Sequence, residues 1–156
     1  MSSIPASLEN RASVYSYLFL QLQTMLANET DSIANLANMT ACVKEAFDFH
    51  WVGFYRVSGN ELVLGPFQGP AACTRIAFGH GVCGTAWRRR ETVLVSDVER
   101  FPGHIACSPH SRSEIAVPYF DHVRNVAGIF DVDSDQPDDF SSTDRLWLEK
   151  IVSLLT

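Results

Sequence analysis

The chain of 156 residues has no run of 18 or more apolar residues, so no segment is long enough to cross a bilayer as a helix. Its first residues, Met1-Ser2-Ser3-Ile4-Pro5, carry neither the basic stretch nor the apolar core of a secretion signal. A cytoplasmic protein is expected. Positive charge is scarce: the net charge is -6, the pI is near 5.2, and the basic residues cluster only at Arg88-Arg89-Arg90. That balance argues against nucleic acid as the main partner. Closely paired metal ligands are lacking too. Cys42, Cys73, Cys83 and Cys107 are separated by 31, 10 and 24 positions, whereas zinc sites usually use C-x2-C or histidine pairs. No bound metal is expected, although His80, His104 and His110 lie near the last three cysteines. There is no internal repeat, low-complexity tract or linker. One domain is expected, with 46% hydrophobic residues enough to bury a core without disulfide staples.

What is present reads as two helices, a set of strands and a closing helix. Val14, Leu18, Leu22 and Met25 or Leu26 recur at helical spacing, with Tyr15, Tyr17 and Phe19 widening the stripe. Thr30 or Asp31 can cap a second helix through Ile33, Leu36, Met39, Val43 and Phe47. Cys42 in this helix reads as a small core residue. From Trp51 the sequence turns β-branched and aromatic. Two strands, Trp51 to Val57 and Glu61 to Phe67, flank the hairpin composition Ser58-Gly59-Asn60. Further strands are predicted at Thr74 to Phe78, Thr92 to Val95, Glu114 to Phe120 and Val123 to Val132, the last two joined at Asp121-His122. A short helix opens in the glycine-rich run from Gly79 to Trp87, and Asp144 to Leu155 closes the chain with Leu146, Trp147, Ile151 and Leu154 inward. The segments divide into helices over about 8–48, sheet and loops over about 51–133 and a closing helix over about 142–155. This order implies an α+β fold, an antiparallel β-sheet flanked by helices.

Two groups of residues can carry chemistry. A cysteine thiol is mostly protonated at neutral pH and needs a helix N-terminus, a cation or a donor to become a nucleophile. Cys83 sits at a predicted helix entry, and Cys107 has His104, His110 and Arg112 within five positions on an irregular stretch of chain. Four cysteines in a cytoplasmic chain of this size point to reactive, metal-bound or simply buried thiols rather than to structural disulfides. Asp131 and Asp133 alternate along one strand and so share a face. With Glu114 on the neighbouring strand they can form an acidic pocket for an ammonium group. Trp51 and Tyr55 also share a strand face and can wall a small ligand.

The runs Trp51-Val52-Gly53-Phe54-Tyr55, Leu64-Gly65-Pro66-Phe67-Gln68-Gly69, Gly79-His80-Gly81-Val82-Cys83-Gly84-Thr85-Ala86, Phe101-Pro102-Gly103-His104-Ile105-Ala106-Cys107, Ser111-Arg112-Ser113-Glu114-Ile115 and Phe130-Asp131-Val132-Asp133-Ser134 together closely resemble the free methionine-(R)-sulfoxide reductases, which are built on a single GAF domain. The resemblance runs from about residue 12 to the C-terminus. It implies a GAF-like sheet and reduction of free L-methionine-(R)-S-oxide to L-methionine through a cysteine sulfenic acid and an intramolecular disulfide. Cys107 would be the nucleophile, and Cys83 and Cys73 the remaining redox cysteines. Glu114, Asp131, Asp133, Trp51 and Tyr55 would form the substrate pocket. Cys42 falls outside the pattern, and Ser108-Pro109 departs from the Asp common after the catalytic cysteine.

The resemblance also implies no bound cofactor, with thioredoxin, thioredoxin reductase and NADPH as external reductant, and suggests a homodimer. Which of Cys83 and Cys73 pairs with Cys107 stays open, with a slight preference for Cys83 at its helix entry. Which carboxylate is the acid is open as well. The alternative is a non-enzymatic GAF module sensing a small ligand or redox state in the same pocket.

Overall fold

A computed structural model describes residues 10–105, 107 and 110–156. Ser108 and Pro109, the expected departure in the loop, lie outside the described residues. Helix α1 (Arg11–Leu26) begins at Asn10, whose side chain accepts the Ser13 N–H, and α2 (Ser32–Phe47) begins at Asp31, which accepts from Ala34. These oxygens satisfy donors that the first helical turn leaves unpaired. The sheet contains β1 (Trp51–Ser58), β2 (Glu61–Gln68), β3 (Arg75–Ala77), β4 (Val93–Val95), β5 (Ser113–Phe120) and β6 (Val126–Ser134), with α3 (Gly81–Arg89) between β3 and β4 and α4 (Ser142–Val152) last. The strands lie in the order β3-β2-β1-β6-β5-β4, and every pairing is antiparallel. This is the expected α+β arrangement. No helix among the described residues is long and apolar enough to cross a membrane.

The predicted first hairpin closes through Gly59 and Asn60, with Ser58 paired to Glu61. Gly59 takes φ 64° there, as a primed turn requires. The second predicted turn is longer than Asp121-His122. Asp121 Oδ1 accepts the N–H groups of both Val123 and Asn125, and Arg124 sits at φ 69°. A side chain that binds nearby backbone competes with the strand ladder, so β6 begins at Val126 rather than Val123.

Strand alternation sorts the sheet into two faces. On one, Val52, Phe54, Ile115, Val117, Phe130 and Val132 pack against Tyr15, Leu18, Leu22, Met39, Val43, Leu148 and Ile151. At roughly 25 cal/mol per Å² of apolar area removed from water, this layer is the main source of stability. On the other, Trp51, Tyr55, Ala116 and Ile129 lie beneath Val82, Cys83 and Ala86 of α3. Residues 114, 131 and 133 alternate onto this second face.

The helices bury most of the predicted stripes, Leu18, Leu22, Leu36, Met39, Val43 and Ile151 among them, and depart from the sequence reading at a few positions. α1 buries Tyr15 rather than Val14, because the Tyr15 hydroxyl donates to Asp144 at 2.7 Å. Ile33 of α2 is exposed. In α4 the expectation that Leu146 faces inward is wrong: it is 53% exposed, and Leu148, Ile151 and Val152 face the core. A capping box between Ser141 and Asp144 fixes where α4 starts and turns Asp144 toward α1. That rotation carries Leu146 to the surface.

Candidate active site

The register of the three central strands builds a carboxylate floor. Glu114 of β5 pairs with Asp133 of β6, which pairs in turn with Trp51 of β1. In the next row Asp131 lies between Ala116 and Gly53, two neighbours too small to cover it. Glu114 and Asp131 are 7% and 4% exposed. The Oδ1 atoms of Asp131 and Asp133 are both shut off from solvent without a partner. Cys83, in the first turn of α3, closes over this floor, and its thiol donates to Glu114 Oε2 at 3.8 Å.

Such a cluster holds its protons. Burial is the main cause that raises Glu114, Asp131 and Asp133 well above the usual carboxylate range, and mutual repulsion adds to it. The Cys83 thiol is pushed well up by burial and then by Asp131 and Glu114. The helix entry expected to favour a Cys83 thiolate is therefore outweighed by the acids facing it.

The linkage has a definite sign. These acids have folded pKa values above the unfolded range near 4, so the folded protein retains protons that the unfolded chain releases, and stability falls as pH rises through that window. Asp131→Asn removes one of the repelling charges. It is expected to melt about 2–4 °C higher than the parent near pH 8, a gain of about 1 kcal/mol that fades as pH falls toward 4. Thermal melts across pH check this; a shift independent of pH would detach it from ionisation.

One wall of the pocket is the segment after β2. Trp51 Nε1 donates to the Pro70 carbonyl at 3.0 Å and the Tyr55 hydroxyl to the Cys73 carbonyl at 2.8 Å. The Trp51 ring stacks on Phe67 and Tyr55, with centroids 5.3 and 6.0 Å apart. Trp51 and Tyr55 thus line the pocket and also tether the segment carrying Cys73. Cys73 is joined by a disulfide to Cys107, while Cys83 and Cys42 stand outside that disulfide and are buried. The structure gives Cys107 the partner that the sequence had ranked second. Cys42 lies in the helical core, its thiol pushed up to about 11 by burial.

The proposed activators of Cys107 separate. His104 lines the pocket with a buried, unpaired Nδ1, and burial lowers its pKa, which favours the neutral ring. His110 instead meets His50 edge to face, and Arg112 is exposed. Ser111 also lines the pocket, its Oγ buried and unpaired. It was missed as a site residue, and its only signal was its place in the run that leads to Glu114. The described lining thus combines the disulfide-bonded Cys107, the Cys83 thiol, three proton-holding acids and stacked aromatic rings.

A GAF domain model matches residues 22–156. A free methionine-R-sulfoxide reductase of Escherichia coli is 41% identical over 94% of this chain and 88% of its own length, and one of Saccharomyces cerevisiae is 36% identical over 94% and 86%. The X-ray structure of free methionine-R-sulfoxide reductase from Neisseria meningitidis in complex with its substrate superposes with a TM-score of 0.94 at 49% identity, covering 99% of this chain and 93% of that one. Matches of this length and identity, on a chain whose cysteines and acids meet in one pocket, make the protein a member of the GAF-domain family and, within it, of the free methionine-R-sulfoxide reductases.

Proposed function

We propose that the protein reduces free L-methionine-(R)-S-oxide to L-methionine, with Cys107 as nucleophile and Cys73 as its disulfide partner. The observation that carries this reading is that Cys107, joined by a disulfide to Cys73, lines the same pocket as the Glu114, Asp131 and Asp133 carboxyls. The Cys107 thiolate attacks the sulfoxide sulfur while one of the carboxylic acids, Glu114 or an aspartate of the pair, gives its proton to the sulfoxide oxygen. The oxygen passes to Cys107, leaving a sulfenic acid, and methionine departs. The Cys73 thiol then attacks the sulfenic sulfur, the S–S bond forms, and the hydroxyl leaves as water. Thioredoxin, recharged by thioredoxin reductase and NADPH, returns two electrons and two protons by thiol–disulfide exchange. No bound cofactor enters, and the cytoplasm is the compartment that supplies this reductant.

Crowding gives the acids two states. Repulsion keeps one carboxyl protonated as the acid while another, once ionised, pairs with the substrate ammonium. A peptide-bound residue has an uncharged amide there, which favours the free amino acid. Cys83 supports the arrangement as a thiol bonded to Glu114. The test is NADPH oxidation coupled through thioredoxin, with free methionine-R-sulfoxide, the S epimer and a peptide containing the R-sulfoxide. Turnover is expected on the first alone. No turnover of free R-sulfoxide, or equal rates on the peptide, would overturn the reading.

A further inference from the structure

We propose that the buried cluster Cys83, Glu114 and Asp131 is a binding site for a thiophilic divalent cation of the zinc class, which occupies the pocket in place of substrate. The three donor atoms lie within 4.8 Å of one another, although their residues are 31 and 17 positions apart in sequence. Zinc bonds of about 2.3 Å to sulfur and about 2.0 Å to oxygen at tetrahedral angles put such donors roughly 3.5 Å apart. The sulfur-to-oxygen distance between Cys83 and Glu114 is 3.8 Å, so that pair needs little contraction, and the 4.8 Å bound on the set leaves about 1 Å for the others.

A second observation comes from outside the acidic cluster. Ser111 is 8% exposed, and its Oγ has no partner while lining the same cavity. Burying a hydroxyl without a partner is costly, and a cation with a bound water supplies one. The cavity encloses about 40 Å³, more than the roughly 10–15 Å³ that one water requires. The thiolate makes the set soft enough for zinc, cadmium or cobalt and unsuited to magnesium or calcium, which take all-oxygen ligands. On binding, the Cys83 thiol and the carboxyl protons pass to solvent and the metal takes their positions. The site stands apart from the absence of close ligand pairs in sequence, since the fold brings its donors together from α3, β5 and β6.

Metal binding does not depend on the reductase reading; only its inhibitory effect does. The test therefore begins with the oxidised protein, in which the Cys73–Cys107 disulfide withholds both of those sulfurs and leaves Cys42 and Cys83 outside it. Titration with Co²⁺ is expected to produce a sulfur-to-cobalt charge-transfer band in the near ultraviolet. The band should survive Cys42→Ser, disappear in Cys83→Ser and be displaced by Zn²⁺. Asp131→Asn should keep the band and weaken cobalt affinity by at least the roughly 10–100-fold that loss of even an outer-shell partner costs, which preserves the test if Cys83→Ser does not fold. No band, a band abolished by Cys42→Ser, or unchanged affinity in Asp131→Asn would overturn the site. In the reduced protein Zn²⁺ should inhibit competitively with free methionine-R-sulfoxide, and a chelator should reverse it. Cobalt binding without turnover would count against the reductase reading alone.

Discussion

Cys107→Ser is expected to lower methionine release from free R-sulfoxide by about four orders of magnitude or more, the scale seen when a covalent nucleophile is removed. Serine keeps the shape of the side chain, but its hydroxyl stays protonated and forms no sulfenic acid. Cys73→Ser should separate the two halves of the cycle. It leaves Cys107 to attack once, so rapid mixing should show one equivalent of methionine and a trapped sulfenic acid, with no continued turnover on thioredoxin. Cys83→Ser should retain the disulfide step, because Cys83 is free and bonded to Glu114. A single-turnover burst that persists in Cys107→Ser would remove Cys107 from the chemistry, and sustained turnover in Cys73→Ser would give the partner role to another thiol.

The difference between Cys73 and Cys83 shows where sequence reasoning stopped. Helix entry is a local property, and it ranked Cys83 as the better thiolate. The environment of that thiol is set by Glu114 and Asp131, which arrive from β5 and β6. Only the folded sheet brings them there. Cys73, in contrast, had no visible local activator. Its position comes from tethers made by Trp51 and Tyr55 to the backbone of 70–73, and hydrogen bonds to a loop carbonyl leave no pattern in sequence. The acid cluster was legible because strand alternation is strict: Asp131 and Asp133 had to share a face, and pairing between antiparallel neighbours brought Glu114 opposite Asp133. Asp31 as a cap and Gly59 in the first hairpin were legible for a similar reason, since each acts on backbone within a few residues.

The inward stripes of the helices were largely legible, since Leu18, Leu22, Leu36, Met39, Val43 and Ile151 are buried as their spacing predicts, but the polar anchor between α1 and α4 was not. Asp144 is 1% exposed. It accepts from the Tyr15 hydroxyl at 2.7 Å, from the Ser141 N–H at 2.8 Å and from Arg11 at 3.1 Å. Arg11 also bonds Asp139, which in turn accepts from the Ser134 hydroxyl beside Asp133. A hydropathy pattern places such an aspartate outside. Asp144→Ala is expected to cost about 3–4 kcal/mol: it leaves the buried Tyr15 hydroxyl without an acceptor and removes half the capping box. The Arg11 side chain is 34% exposed, so solvent discounts its ion pair and most of the loss comes from the neutral donors. For a chain of this size the melting temperature should fall by roughly 6–16 °C. Asp144→Asn should lose less, because an amide oxygen can still accept from Tyr15 or from Ser141. In urea the midpoint should drop with the slope unchanged. A loss below about 1 kcal/mol would mean that the helices hold their phase by apolar packing alone, and that the path from Asp144 through Arg11 and Asp139 to the strand end beside Asp133 does not brace the site.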